Sequence, residues 1–94
     1  MEEIVKKLQK IRSFLEKEYF IKNIALFGSY VRGEQDESSD LDILVEFYKT
    51  PTLIQFLRLK FFLSDYLGVR VDLVMKQSLK PVIGERILKE AILI

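Results

Sequence analysis

The stretch from Thr50 to Gly68 constrains the fold more than any other part of this chain. Thr50-Pro51 reads as a helix start, with Thr as N-cap and Pro at the first position, and Gly68 reads as its stop. Ten of the fifteen residues from Leu53 to Leu67 are apolar, so the helix they form must be packed against something. The segments on either side read as strands. From Asp40 to Phe47 the pattern alternates: Leu41, Ile43, Val45 and Phe47 point one way, and Asp40, Asp42 and Glu46 the other, with Leu44 the exception. Val69 to Met75 is the second such segment. A crossover of roughly 17 residues between two strands favours a parallel pair with a right-handed connection.

The remaining elements fall around that unit. Ile4, Leu8, Ile11 and Leu15 recur at helical spacing, which predicts an amphipathic helix over residues 2–19. Asn23 to Phe27 is a short apolar run ended by Gly28, as in a buried strand. A ten-residue polar loop, with room for one helical turn after Ser29, allows this strand to run antiparallel to the next. Pro81 to about Ala91 predicts a closing helix carrying Ile83, Ile87, Leu88 and Ala91. The expected fold class is α/β (α+β), a three-stranded mixed sheet backed by helices in the order α-β-α-β-α-β-α. Residues 1–94 are expected to form one domain.

Composition narrows the chemistry. The chain has no Cys and no His, which excludes disulfides, thiolate metal sites, imidazole ligands and the usual general base. A metal held here must be a hard cation on oxygen ligands. No segment has the ~18 consecutive apolar residues of a membrane span, and the N-terminus does not read as a signal peptide, so a cytoplasmic protein is expected. The net charge of +1 conceals an asymmetry. Between Gly33 and Tyr48 there is no Lys or Arg, but six acids: Glu34, Asp36, Glu37, Asp40, Asp42 and Glu46. The other eight acids face all 15 basic residues, a surplus of +7 outside that stretch. Direct nucleic-acid binding is not expected of such a balance.

Asp40 and Asp42 sit two apart on a strand, so both project from one face about 6.5–7 Å apart. Two ionised carboxylates at that separation repel by roughly 2–3 kcal/mol at an effective dielectric of about 20. A divalent cation turns that repulsion into a binding site, and Mg²⁺ commonly uses one or two carboxylates together with substrate phosphates. By itself an Asp-x-Asp pair is more often the solvated face of an amphipathic strand. Asp72 adds weight, because it lies among Val71, Leu73 and Val74, where an ionised group is expensive without a partner. Its strand parity lets it converge on Asp40 and Asp42 if the two strands are neighbours; an ion pair with a nearby Arg or Lys is the plainer alternative. Gly28-Ser29 is the third component: glycine permits close approach of a ligand, and Ser29 can offer its hydroxyl and nearby amides to phosphate.

Gly28-Ser29, ten intervening residues, Asp40-Leu41-Asp42 and a later strand Asp72 together resemble the nucleotidyltransferases of the DNA polymerase beta superfamily. The ten-residue spacing, the wording Gly-Ser-Tyr-Val-Arg-Gly-Glu and the chain length are most similar to the minimal nucleotidyltransferases. In that group the enzyme is commonly the antitoxin of a HEPN-domain ribonuclease toxin. The resemblance covers nearly the whole chain and implies the nucleotidyltransferase fold. It implies that Asp40 and Asp42 hold two Mg²⁺ ions bridging to a bound nucleotide triphosphate. Asp72 would complete the second metal site and help deprotonate the attacking hydroxyl. Gly28 and Ser29 would bind the β- and γ-phosphates, and Arg32 could contact phosphate or simply face solvent.

The activity implied is transfer of AMP from ATP to a hydroxyl, with a Tyr of a HEPN toxin partner as the favoured acceptor. A catalytically silent module that neutralises its partner by occlusion, and an enzyme modifying a small molecule such as an antibiotic, are the alternatives. The apolar residues from Leu53 to Leu67 cover more than the ~100° stripe one core face needs. A second apolar face could pack on another protomer or a partner, or be buried within the monomer, and the tail Ala91-Ile92-Leu93-Ile94 poses the same choice.

Overall fold

A computed structural model describes residues 1–94. Helix α1 (Glu2–Tyr19) leads into strand β1 (Ile21–Phe27), followed by the single turn α2 (Ser29–Arg32) and strand β2 (Leu41–Phe47). Helix α3 (Leu53–Leu67) then crosses to strand β3 (Val71–Met75). A 3₁₀ turn (Lys76–Ser78), helix α4 (Pro81–Glu90) and strand β4 (Ile92–Leu93) complete the chain. The sheet is mixed, in the order β3-β2-β1-β4. β1 and β2 are antiparallel, and β2 and β3 are parallel, as the loop and crossover lengths predict.

Two expectations need correction. The sheet has four strands, not three, because Leu93 pairs with Ala25 and Ile92 with Leu26 on the free edge of β1. A two-residue strand carries no periodicity of its own; only the edge it docks on defines it. The cap of α3 is Thr52, not Thr50, and Pro51 lies outside the helix. Gln55 N–H donates to Thr52 Oγ1 and Thr52 N–H to Gln55 Oε1, a capping box that satisfies two end donors at once. Gly68 closes the helix with φ of 71°, as anticipated.

The core lies on one face of the sheet. Leu8 and Leu15 of α1 and Leu59, Leu63 and Leu67 of α3 cover Leu41, Ile43, Val45, Val71 and Leu73 of the two parallel strands. Leu44, which breaks the alternation, lies opposite Ala25, and both are buried on the other face. That second face thus has an apolar middle between two polar ends, Asn23 with Glu46 at one and Asp42 with Asp72 at the other. Helix α4 buries none of its residues, and Ile83 and Leu88 are about half exposed. The second apolar stripe of α3 stays open: Leu53, Ile54 and Phe61 are each more than 60% exposed, so the monomer does not bury both faces. No helix is long and apolar enough to cross a membrane.

Candidate active site

The parallel register sets the geometry. Asp42 lies directly beside Asp72, and Leu41 beside Val71. One step earlier, Arg70 Nε meets Asp40 Oδ1 at 3.1 Å, and the Arg70 carbonyl accepts from Leu41 N–H. Two cross-strand pairs therefore stand in sequence, one of opposite charges (Asp40 with Arg70) and one of like charges (Asp42 with Asp72). Like charges directly opposite destabilise a sheet. Burial comes first, followed by the Asp72 charge, hydrogen bonding to Asp72 and the Asp40 charge, in pushing the Asp42 carboxyl up to about 6; Arg32 pulls the other way. Asp72 is exposed rather than set into an apolar interior. It forms no salt bridge, so the plainer ion-pair alternative falls to Asp40 instead.

Gly28 closes the site from β1. It is buried, with φ of 80° and ψ of −156°, in a region of backbone space essentially reserved for glycine. A Cβ at this position would overlap Asp42 Oδ2. Glycine is thus required twice, by the backbone and by the carboxylate packed against it. Its carbonyl accepts from Val31 and Arg32 N–H, and the Ser29 carbonyl from Glu34 N–H, which folds residues 28–34 into a tight turn. Ser29 is the first residue of that turn and is half-buried. The acidic loop is held separately: Asp36 Oδ1 accepts from Ser38 N–H and Oγ, and Arg70 Nη2 donates to the Ser38 carbonyl at 2.6 Å.

The structure shows one participant that sequence reading missed. Glu90, the last residue of α4, accepts from Gly28 N–H at 3.0 Å and from Arg32 Nη1 at 3.0 and 3.2 Å. Arg32 also reaches Glu34 at 3.2 Å, so it is a paired cation rather than a free one. No sequence pattern links Glu90 to a turn 62 residues away, and at a helix end it reads as an ordinary solvated charge.

The donor set suits a hard cation: every candidate ligand is a carboxylate oxygen, and Asp42 and Asp72 form an electrostatically unfavourable pair that a divalent ion would relieve. The three carboxylates do not form a ready-made cage, with Asp40 engaged by Arg70. Further ligands would have to be phosphate and water oxygens, which is the usual habit of Mg²⁺. Beside Asp40 lies an open groove of about 690 Å³, walled by Lys60, Phe61, Ser64, Asp65 and Arg70.

Residues 5–94 match the family model of the nucleotidyltransferase domain. The protein adenylyltransferase MntA of Thermococcus cleftensis is 46% identical over 92 residues, covering 98% of this chain and 93% of that protein. A crystal structure of a toxin-antitoxin with AMP-PNP is 31% identical with a TM-score of 0.74, over 90% of this chain and 69% of that one. The tri-AMPylated Shewanella oneidensis HEPN toxin in complex with MNT antitoxin also matches, at 26% identity and a TM-score of 0.69, over 96% and 70% of the two chains.

Proposed function

This chain belongs to the nucleotidyltransferase domain family, and from that membership we propose that it is a protein adenylyltransferase: it moves AMP from ATP onto a tyrosine hydroxyl of a HEPN-type toxin and so silences it. Residues 1–94 act as one catalytic domain, in the cytoplasm. The observation that carries the reading is the register of Asp42 beside Asp72 beneath Gly28, an otherwise unfavourable arrangement that makes sense as a cation and phosphate site. The adenylyltransferase relative and the AMPylated toxin complex supply the acceptor class.

Asp40, Asp42 and Asp72 would hold two Mg²⁺ ions, with Asp40 giving up or sharing its Arg70 contact. Ions bound there supply charge neutralisation at the leaving pyrophosphate and acidify the acceptor hydroxyl. Gly28, Ser29 and Arg32 hold the β- and γ-phosphates by N–H, hydroxyl and guanidinium donors. Asp72 takes the proton of the acceptor hydroxyl. The hydroxyl oxygen bonds to the α-phosphorus, the bond from that phosphorus to the β-phosphate oxygen breaks, and pyrophosphate leaves. No histidine is needed.

The open stripe of Leu53, Ile54 and Phe61 on α3 suits partner docking, and would serve equally a module that neutralises its partner by occlusion. Intact-mass measurement of the partner after incubation with ATP and Mg²⁺ separates the two. AMP addition is expected. An inhibited but unmodified partner supports occlusion. Asp42→Asn and Asp72→Asn should each lower transfer by roughly 1000-fold or more, about 4 kcal/mol of transition-state stabilisation. Retained activity in either folded variant, at saturating Mg²⁺ and nucleotide, overturns the assignment.

A further inference from the structure

The Glu90 carboxylate occupies the donors that the proposed reaction assigns to phosphate. Its Oε1 takes both Gly28 N–H and Arg32 Nη1, and its Oε2 takes Arg32 Nη1 as well. A carboxylate and a phosphate oxygen compete for such donors on similar terms, since both form short charge-assisted hydrogen bonds. One backbone N–H cannot serve both. We propose that Glu90 is an exchange ligand of the triphosphate site: it holds Gly28 N–H and Arg32 while the site is empty, is displaced when the β- and γ-phosphates arrive, and reclaims both donors as pyrophosphate departs. This inference rests on the proposed adenylyl transfer and adds a residue that tunes nucleotide affinity and product release.

Three features support it. The position of Glu90 is fixed by the C-terminal residues beyond it, because Ile92 and Leu93 pair with β1 and Ile94 N–H donates to the Ile24 carbonyl at 2.9 Å. The carboxylate is therefore delivered beside Gly28 by the sheet itself. The side chain remains about 30% exposed, with water on one side into which it can swing. The Gly28 N–H first and then Arg32 hold its carboxyl below the usual range, so it is an anion wherever the enzyme would work. The charges that face it include Arg32, which it pairs, Glu34 on the same guanidinium, and Asp42, which packs against Gly28 and feels the Arg32 charge.

The exchange gives Glu90 a role distinct from a brace. A brace would make nucleotide binding weaker when removed; a competitor makes it tighter. Glu90→Gln keeps the shape and an acceptor for Gly28 N–H but removes the charge that competes for Arg32. With Mg²⁺ present, AMP-PNP is expected to bind this variant about tenfold more tightly by calorimetry. Inhibition by pyrophosphate should strengthen by a similar factor, and KM for ATP should fall while kcat does not rise. Arg32→Ala provides the second arm. It should weaken AMP-PNP binding only slightly in the parent protein, where Arg32 is already neutralised, and several-fold more in the Glu90→Gln background. Unchanged or weaker AMP-PNP binding by a folded Glu90→Gln variant overturns the proposal while leaving the transfer reaction standing. Absence of AMP-PNP binding in every variant, the parent included, overturns both.

Discussion

The two faces of β2 are one residue apart along the chain and differ in almost every physical respect. Leu41, Ile43 and Val45 are 1% exposed or less and are held by two helices. Asp42, between the first two, faces Asp72 in register, packs against a glycine and retains its proton up to about pH 6. One face gathers favourable contacts; the Asp42 end of the other gathers repulsion. The strand can hold an unfavourable pair on its open face because the opposite face fixes its position independently. Stability and chemistry are thus separated by a single step of strand periodicity.

That separation can be broken from either side. The largest expected effect comes from the core: Ile43→Ala should cost about 2–5 kcal/mol in denaturant unfolding, with the folded fraction retaining its activity per molecule. A variant that lost activity before it lost structure would show that the faces are coupled after all. Gly28→Ala strikes the boundary between them. The backbone conformation alone should cost about 1–3 kcal/mol, and the new Cβ must displace Asp42, so transfer should fall further than stability does. An alanine variant with normal turnover would contradict the role given to this contact.

The smallest effect has the most informative sign. The folded Asp42 carboxyl titrates near 6 against 3.8 for its ordinary value, so the folded chain binds more protons than the unfolded chain between those limits. Stability of the metal-free protein should therefore be greatest below about pH 4 from this group, and decline by about 1–2 kcal/mol as pH rises through about 6, after allowance for solvent screening. Asp42→Asn should flatten that slope in urea titrations with chelator and make the inactive protein the more stable one at pH 7. A loss of stability in that variant would mean that the carboxylate helps to hold the sheet.

Much of this arrangement is legible in the sequence, and the limits have physical causes. The helical spacing of Ile4, Leu8, Ile11 and Leu15 gives α1 from Glu2 to Tyr19, because one buried stripe dictates the pattern. The crossover length gives the parallel pair, and through it the meeting of Asp42 with Asp72. The capping box Thr52-Leu53-Ile54-Gln55 is also written there, but Thr50-Pro51 offers a competing start two residues earlier. Asp72 reads as buried from its neighbours along the chain, whereas exposure is decided by what covers the face. Glu90, β4 and the partner of Arg70 are not legible because each depends on a contact between distant segments. Local patterns encode elements; only tertiary closure assigns a lone charge to its partner.

The contact between Glu90 and Gly28 has a further meaning in folding. Its residues are 62 apart in sequence, and β4, which brings them together, joins the edge of β1 over a comparable span. The antiparallel pairing of β1 with β2 closes a far shorter loop, and the parallel pairing of β2 with β3 one of intermediate length. Loop-closure entropy places such distant pairing late. Asp42 and Asp72 can therefore be in register while the donors of the Gly28 turn are still open to any anion. Completion of the chain's topology and arrival of a triphosphate then run in opposite directions through one carboxylate: the first makes its contact, and the second breaks it.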